Sequence, residues 1–275
     1  MGALSRDLWT EAPSAEPSTP GGVVHYAGIA LARLGVEVRV VTRMHERDRA
    51  ELTAPLERAG VQVCALPSRE TTTYRNDYTG EHDVHALLAC SDPIQLDDLP
   101  RAWRAADFAQ LGPLHPDDVA PEVASGLAAR VGLDAQGLVR TRGEGLARAG
   151  ALDAILPHVG SLQISESELG PVLQGESPSA FAARSGVAEL IVTRGRRGAS
   201  VLAGGRWHEI PARPARPRDA RVKAGCGDIF LACYLWQRAA GADPEGAARS
   251  AAALCAIKLT RGEIPADLDT KEFAA

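Results

Sequence analysis

The chain has 275 residues, with 30 Lys and Arg against 35 Asp and Glu, which gives a formal net charge of −5 at pH 7. A chain of this length buries a sizeable core, and we expect one α/β domain. The negative balance repels phosphate backbones, and five scattered cysteines lack a CxxC pair, so we expect neither a nucleic-acid partner nor a disulfide framework.

The first residues contain no basic patch followed by an apolar stretch, and no run comes near the roughly eighteen apolar residues of a membrane span. We therefore expect no membrane partner, reduced thiols and a cytoplasmic location. Residues 10–20, rich in Pro, Ser and Glu, predict a loop. Gly21 and Gly22 then open "VVHYAGIALARLG", whose helical spacing of apolar residues predicts a helix ending at Gly35.

The alternation of elements continues beyond that helix, with a strand over 36–42, a helix over 47–60 and a strand over 61–66. Residues 71–88 differ, because two strand-like stretches flank a Thr-Gly turn and predict a hairpin apart from the main sheet. Alternate residues of its first strand share one face, namely Tyr74, Asn76 and Tyr78.

Short apolar strands follow ("FAQLG", "RVGLD", "SLQIS", "ELIVT") and alternate with helical stretches ("PEVASGLAAR", "ESELGPVLQ", "SAFAARSG"). This order is typical of a mostly parallel sheet covered by helices on both faces. Two helices, over about 228–240 and 243–259, close the chain.

The stretch "RVKAGCGDIF" sets two glycines around a cysteine at the start of a predicted helix. Unpaired N–H groups at a helix N-terminus attract anions, and glycines allow a phosphate to approach, so Gly225, Cys226 and Gly227 form a candidate anion cradle. Asp228, in the first turn, can cap the helix or act as a base. The same residues also fit a plain turn with an N-cap, and Cys226 is a candidate nucleophile without an identifiable histidine partner.

The stretch "AGCGDIFLACYL" resembles the signature of the ribokinase-like (PfkB) carbohydrate and nucleoside kinases. Four further stretches match that family in order: "SRDLW", "GGVVHYAGIALARLG", "VTRGRRGASVL" and "SAAALCAIKLTRGEIP". The resemblance implies a ribokinase-like three-layer α/β/α sandwich with a mostly parallel central sheet and a small β lid. It implies a single domain over residues 1–275, with lid elements at about 8–20 and 71–89.

By this resemblance Asp228 is the catalytic base, and Gly225, Cys226 and Gly227 form the anion hole. ATP and Mg²⁺ are the implied cofactors. The "VTRGRRG" stretch matches the family's nucleotide segment, in which the residues near the phosphates correspond to Thr193, Gly195 and Gly198. From the residues alone, this stretch equally fits a strand followed by a tight turn with solvated arginines.

The resemblance also places acceptor-binding groups near the start of the chain, at Asp7, Gly21 and Gly22, with Tyr74 and Asn76 contributed by the lid. Asp7 as a surface residue and Tyr74 as a packing residue are the alternatives. In "ISESEL", Glu168 matches a glutamate that organises water and Mg²⁺ in the family. Ser165 stands where the family has asparagine, and the stretch also fits a helix cap.

Two departures from the family pattern stand out. Val222, Lys223 and Ala224 replace the usual Asp-Thr-x, so we expect no potassium activation and offer Lys223 as a fixed positive charge in its place. Before Gly2 the chain has only Met1, where the family has an apolar strand. Either the start was assigned late or the sheet lacks an inner strand, which leaves backbone groups of its neighbours unpaired.

The predicted function is an ATP-dependent kinase that transfers the γ-phosphoryl group to a hydroxyl of a small polyol. That polyol is a sugar, an inositol or a nucleoside, with the hairpin favouring the inositol and nucleoside branches. The alternatives are a retired kinase that only binds ligands and a vitamin-precursor kinase of hydroxymethylpyrimidine or pyridoxal type. Lid edges pair between subunits in many members, so the resemblance also suggests a homodimer through the lid.

Overall fold

The computed structural model describes residues 1–9, 18–77, 84–139, 150–217 and 220–273. Its strands are β1 Ser5–Trp9, β2 Ser18–Gly21, β3 Arg39–Met44, β4 Gln62–Pro67, β5 Thr73–Asp77, β6 Val84–Ala89, β7 Ala105–Leu111, β8 Ala128–Asp134, β9 Ser161–Ser165, β10 Glu189–Thr193, β11 Ala199–Ala203 and β12 Arg206–Ile210. Its α-helices are α1 Val23–Arg33, α2 Arg49–Arg58, α3 Pro121–Ser125, α4 Gln136–Val139, α5 Gly150–Ile155, α6 Leu169–Leu173, α7 Pro178–Ser185, α8 Cys226–Ala239 and α9 Pro244–Arg261.

The central sheet has six strands in the order β12-β11-β10-β9-β8-β7. The strands β7 to β10 run parallel, whereas β11 and β12 are antiparallel to their neighbours. The mostly parallel sheet predicted from the sequence is therefore confirmed. The helix predicted over "PEVASGLAAR" is shorter than expected, because α3 ends at Ser125 and the chain from Ala128 onward pairs with β7 as a strand.

Helices cover the central sheet on both faces. In β10, Leu190 and Val192 pack into a core shared with α3 to α7, whereas Ile191 packs against α8 and α9 on the opposite face. Because consecutive residues of a strand point to opposite faces, a strand buried on both sides is apolar throughout. The sheet and its two helical layers form the predicted three-layer α/β/α sandwich.

A second, two-stranded parallel sheet, β3 and β4, packs against α1 and α2. Met1 and Gly2 lie between β3 and β7, since Gly112 N donates to Met1 O at 2.9 Å and Gly2 N to Val41 O at 3.4 Å. Beyond them lies a cavity of about 640 Å³ lined by residues of both strands. In the described part of the chain no strand fills this gap.

A third sheet has the order β2-β1-β5-β6 and is separate from the other two. The β5–β6 hairpin was predicted to lie apart from the main sheet, and this is confirmed. The prediction of a loop over residues 10–20 is wrong for its last three residues, because Ser18–Gly21 forms β2 and pairs with β1. Residues 10–17 and Tyr78 lie outside the described residues. Among the described helices, none combines the length and the apolar character that a membrane crossing needs.

Candidate active site

The N-terminus of α8 has the geometry of an anion cradle. Gly225 is its N-cap, with φ at 78°, and a Cβ there would lie 2.1 Å from the Tyr26 ring, so only glycine fits. The first intrahelical bond runs from Ile229 N to Gly225 O at 3.0 Å. The N–H groups of residues 226–228 therefore have no acceptor within the helix and point beyond its positive end.

Amide side chains from three neighbouring strands, or from the residues just after them, hold the first turn of α8. Gln163 of β9 donates to Gly227 O at 3.0 Å, and Gln110 of β7 donates to Asp228 O at 3.2 Å. Gln136, just after β8, donates to the Asp228 carboxylate at 3.3 Å. None of the three glutamines was predicted from the sequence. The only sequence signal was a polar residue within or just after an otherwise apolar strand.

Asp134 links Gln163 and Gln136, the former through its side chain and the latter through its backbone. Its carboxylate accepts a hydrogen bond from Gln163 Nε2 at 2.9 Å and another from Gln136 N at 3.0 Å. Asp134 and Asp228 are both buried, with 5% and 8% of their surface exposed. The Asp228 carboxylate is therefore held in a defined orientation at the carboxyl ends of the parallel strands, where ligands bind in open α/β sheets.

Lys258 of α9 is the buried cation next to the cradle. Its ammonium donates to the carbonyl oxygens of Val222 and Ala224, and only 5% of the residue is exposed. Burial lowers the pKa of Lys258, an effect partly opposed by Cys226, Cys255 and Asp228. Lys223, by contrast, is exposed, and the buried positive charge beside this turn is that of Lys258. A fixed-charge role for Lys223 stays a prediction.

Two thiols lie beside the cradle. Cys255 Sγ donates to Cys226 O at 3.2 Å. A hydrogen bond with Cys255 lowers the pKa of Cys226, as does the charge of Lys258, whereas the same hydrogen bond and burial raise that of Cys255. All five cysteines are free thiols, as predicted.

The predicted acceptor residues Asp7, Gly21 and Gly22 lie together at the junction of β1, β2 and α1. A Cβ on Gly21 would fall 2.1 Å from Asp7 Oδ2, and one on Gly22, whose φ is 90°, would fall 2.5 Å from Ala3 O. Asp7 is buried and accepts a hydrogen bond from Ser5 Oγ at 2.7 Å, so the alternative of a surface residue is wrong.

Tyr74 and Asn76 share the buried face of β5, as the period of two predicted. The Tyr74 hydroxyl donates to Leu114 O, and the ring packs against Ala3 and Val23. Asn76 Oδ1 lies 2.7 Å from His85 Nδ1. Packing therefore accounts for Tyr74, and its contact with an acceptor stays a prediction.

The acceptor residues and the cradle are joined through the first turn of α1. This helix begins next to Gly22, and its Tyr26 packs on Gly225. The predicted acceptor group at Asp7 and the predicted cradle at Asp228 thus lie on either side of the first turn of α1. This arrangement can hold a hydroxyl compound and an anion close to the Asp228 carboxylate.

The segment predicted for the nucleotide lies at the ends of β9 and β10. Thr193 ends β10 and pairs with Ser165, and a turn over Gly195–Arg197 leads to Gly198, whose φ is 90°. Arginines of the turn are engaged with carboxylates, Arg194 with Glu209 at 3.0 Å and Arg197 with Glu166.

Glu168 is buried, and its carboxylate accepts a hydrogen bond from Ser165 N at 2.7 Å in a capping box. The capping alternative is therefore realised in the structure, and a role toward Mg²⁺ stays a prediction. Among the described residues, no group of three or more His, Cys, Asp or Glu is placed to hold a metal ion.

The fold is of the ribokinase-like class. The chain belongs to the pfkB family of carbohydrate kinases, whose family model matches residues 17–271. It is accordingly a small-molecule kinase with an alcohol acceptor. No curated protein matches the chain in a sequence search.

Solved structures of several kinases are similar to this one. A structure described as the conversion of a pyrophosphate-dependent myo-inositol-1 kinase into a myo-inositol-3 kinase aligns with a TM-score of 0.80 at 20% identity, over 96% of this chain and 94% of that one. Fructokinase from Vibrio cholerae O395, bound to fructose, ADP and calcium, gives 0.79 at 18%, over 100% and 97%. A Burkholderia thailandensis nucleoside kinase with inosine gives 0.73 at 21%, over 96% and 94%. At these identities the likeness shows the fold.

Proposed function

We propose that this protein transfers the γ-phosphoryl group of ATP to a hydroxyl of a small polyol, with Asp228 as the base. One observation carries the proposal: a buried carboxylate, oriented by Gln136, lies in the first turn of a helix whose N-terminal N–H groups form an anion cradle. Phosphoryl transfer needs these two groups in one place, because an acceptor hydroxyl must lose a proton while negative charge is held nearby.

In this mechanism the chain mainly binds and orients the reactants. Asp7 accepts hydrogen bonds from acceptor hydroxyls, and Gly21 and Gly22 let the acceptor approach the backbone. Asp228 takes the proton of the attacking hydroxyl. The N–H groups of residues 226–228 stabilise the negative charge on the transferring phosphoryl group.

The residues present fit ATP and Mg²⁺ as cofactors. Thr193, Gly195 and Gly198 would border the phosphates, and a Cβ at Gly195 would meet nothing within 4 Å, so the backbone there is open to a ligand. Glu168 would act on Mg²⁺ through water, since this ion keeps several waters and takes most other ligands from phosphates. When bound, Mg²⁺ neutralises charge on the phosphate oxygens.

The same geometry and the related kinases support an acceptor class. Buried Asp7 suits vicinal hydroxyls, and the names of similar structures include myo-inositol, fructose and inosine as bound compounds. We therefore propose inositols, nucleosides and sugars as the acceptors to test. One similar structure is that of a pyrophosphate-dependent kinase, so pyrophosphate is tested beside ATP as the donor.

The experiment measures magnesium-dependent product formation from ATP or pyrophosphate with inositols, nucleosides, pentoses, hexoses and hydroxymethylpyrimidines. Asp228→Asn should lower kcat by about 10²- to 10⁴-fold, the usual contribution of a general base. The matched control is Asp267→Asn, which changes an exposed aspartate and should keep full activity. A mutant at position 228 that keeps most of its turnover would contradict the assignment of the base.

A retired kinase that only binds ligands is the second candidate. One observation favours it: the Glu168 carboxylate is engaged in a capping box and Ser165 replaces the family's asparagine. Folded protein that binds a polyol or ATP but turns over no acceptor of the panel would establish this alternative. Turnover of hydroxymethylpyrimidines alone would instead establish the vitamin-precursor kinase.

A further inference from the structure

Lys258 is a buried charged group to which the proposed reaction gives no role. Its ammonium donates to two neutral backbone carbonyls, those of Val222 and Ala224, which lie 34 or more residues away in the sequence. Burying an ammonium is costly unless its donors are well satisfied, so this arrangement calls for a specific reason.

The position of this ammonium suggests the reason. Val222 and Ala224 form the turn that leads directly into Gly225, and Val222 O also accepts the Cys226 thiol at 4.0 Å. The Lys258 ammonium lies 5.6 Å from the centroid of Tyr26, the ring that packs on Gly225. One cation therefore joins α9, the turn before the cradle and the first turns of α1.

The orientation of the peptide groups gives the physical link to anion binding. Carbonyls turned toward Lys258 fix the peptide planes of residues 222–224, and at Gly225, whose φ is 78°, the chain turns directly into the first turn of α8. The buried positive charge beside the turn that precedes α8 also adds to the attraction that the N-terminus of α8 has for anions.

We propose that Lys258 is a positioning residue, a built-in cation that holds the 222–224 turn in the shape that the anion cradle needs. Backbone carbonyls are also the ligands that potassium takes in proteins. With the ammonium in place, these carbonyls are occupied, and the protein needs no monovalent metal ion there. The inference rests on the proposed function only in that the cradle binds phosphate groups.

The test measures binding without turnover, by calorimetric titration with magnesium-ATP and with inorganic pyrophosphate in choline, sodium, potassium or ammonium chloride at equal ionic strength. Wild-type protein should bind equally well in choline and potassium chloride. Lys258→Ala should bind about tenfold or more weakly in choline chloride, because charge-assisted hydrogen bonds are lost. It should regain most of that loss in potassium or ammonium chloride, whose cations fit the vacated space.

Two further variants separate positioning from general damage. Lys258→Met fills the space with an apolar chain and should bind weakly in every salt. Lys223→Ala removes the exposed lysine of the same turn and should behave as wild type. Circular dichroism and thermal melting confirm that each variant is folded, and the salt dependence of wild-type protein tests the proposal even where a variant does not fold.

Three results would overturn the proposal: potassium-dependent binding by wild-type protein, wild-type affinity of Lys258→Ala in choline chloride, or a loss that no cation restores. Wild-type protein that binds neither probe would overturn the cradle and both proposals with it. Wild-type protein that binds a probe but turns over no acceptor contradicts only the proposed function and leaves the test of Lys258 intact.

Discussion

Asp228 owes its orientation to residues far from it in the sequence. Gln136 and Gln110 hold its carboxylate and its carbonyl from 92 and 118 residues away. A carboxylate without such contacts would sample several rotamers, and a base must lie within hydrogen-bond reach of the proton that it takes. The amides therefore act on the rate of the chemical step more than on binding.

Gln136→Leu tests this reasoning. The variant removes the donor to Asp228 but keeps a similar volume, so we expect kcat to fall by about 10- to 100-fold, the usual effect of a misplaced catalytic group. KM for the donor should stay close to that of wild type, because the cradle N–H groups are unchanged. Steady-state kinetics with the best acceptor of the panel measure both quantities.

The control for this variant is Gln62→Leu, which replaces an exposed glutamine of β4. It should leave kcat and KM unchanged. If Gln136→Leu raised KM and left kcat alone, Gln136 would contact the substrate rather than position the base.

At the scale of elements, sequence patterns predicted the strands and helices whose formation depends on residues adjacent in the chain. The apolar run of β10 and the helix that starts after Gly225 follow from residue types that are adjacent in the chain. The strand Ser18–Gly21 did not follow, because "STPG" reads as a loop and becomes a strand only by pairing with β1. The start of β8 at Ala128 could not be predicted for the same reason, because it depends on pairing with β7.

The residues of the candidate site likewise fall into those that local sequence predicts and those that only tertiary packing reveals. The glycines and Asp228 could be predicted, since a helix start and its cradle lie within one short stretch. Lys258 could not, because a lysine in the last turn of a helix is ordinarily explained by the helix dipole. Its acceptors become visible only when α9 packs beside the 222–224 turn.

The two ends of α8 are fixed by different chemistry. Its N-terminus forms the cradle, and at its C-terminal end Arg238 donates to buried Glu189 at 2.6 and 2.8 Å. Glu189, the first residue of β10, also accepts hydrogen bonds from Tyr234 at 3.0 Å and Ser161 at 2.8 Å. This network at the amino edge of the sheet aligns α8 antiparallel to the strands and so aims its N-terminus at the site.

Glu189→Leu should therefore destabilise the protein without changing the chemistry of the cradle. Breaking a buried, hydrogen-bonded ion pair from one side costs about 3–5 kcal/mol, because the Arg238 charge is left unpaired. Urea denaturation measures this loss, and the double variant Glu189→Leu/Arg238→Leu should recover part of it. A single variant with the free energy of unfolding of wild type would show that the network does not hold α8.

At the scale of the whole molecule, stability toward acid depends on a half-buried histidine and a buried aspartate that have opposite effects. Burial lowers the pKa of His25 from 6.5 to about 4 and raises that of Asp118. As the pH falls, the unfolded chain takes up the His25 proton before the folded chain does, which favours unfolding. Asp118 has the opposite effect: because its pKa is raised in the folded chain, the folded chain takes up this proton before the unfolded chain does, which favours folding as the pH falls. The pH dependence of the free energy of unfolding is therefore the difference of the two effects, and a variant is needed to measure either one alone.

His25→Phe isolates the histidine. The ring is half-buried in the first turn of α1, its Nδ1 has no hydrogen-bond partner among the described residues, and it meets Tyr26 edge-on at 5.0 Å. Above about pH 6.5 His25 is neutral in both the folded and the unfolded chain and does not lower the free energy of unfolding. As the pH falls from about 6.5 toward about 4, only the unfolded chain binds this proton, so the free energy of unfolding decreases. Over that window wild-type protein should lose up to about 3 kcal/mol relative to His25→Phe, at about 1.4 kcal/mol per pKa unit. Urea denaturation of both proteins at several pH values measures the difference. Parallel curves would mean that His25 protonates as readily in the folded chain as in the unfolded one, and that this turn of α1 is open to water.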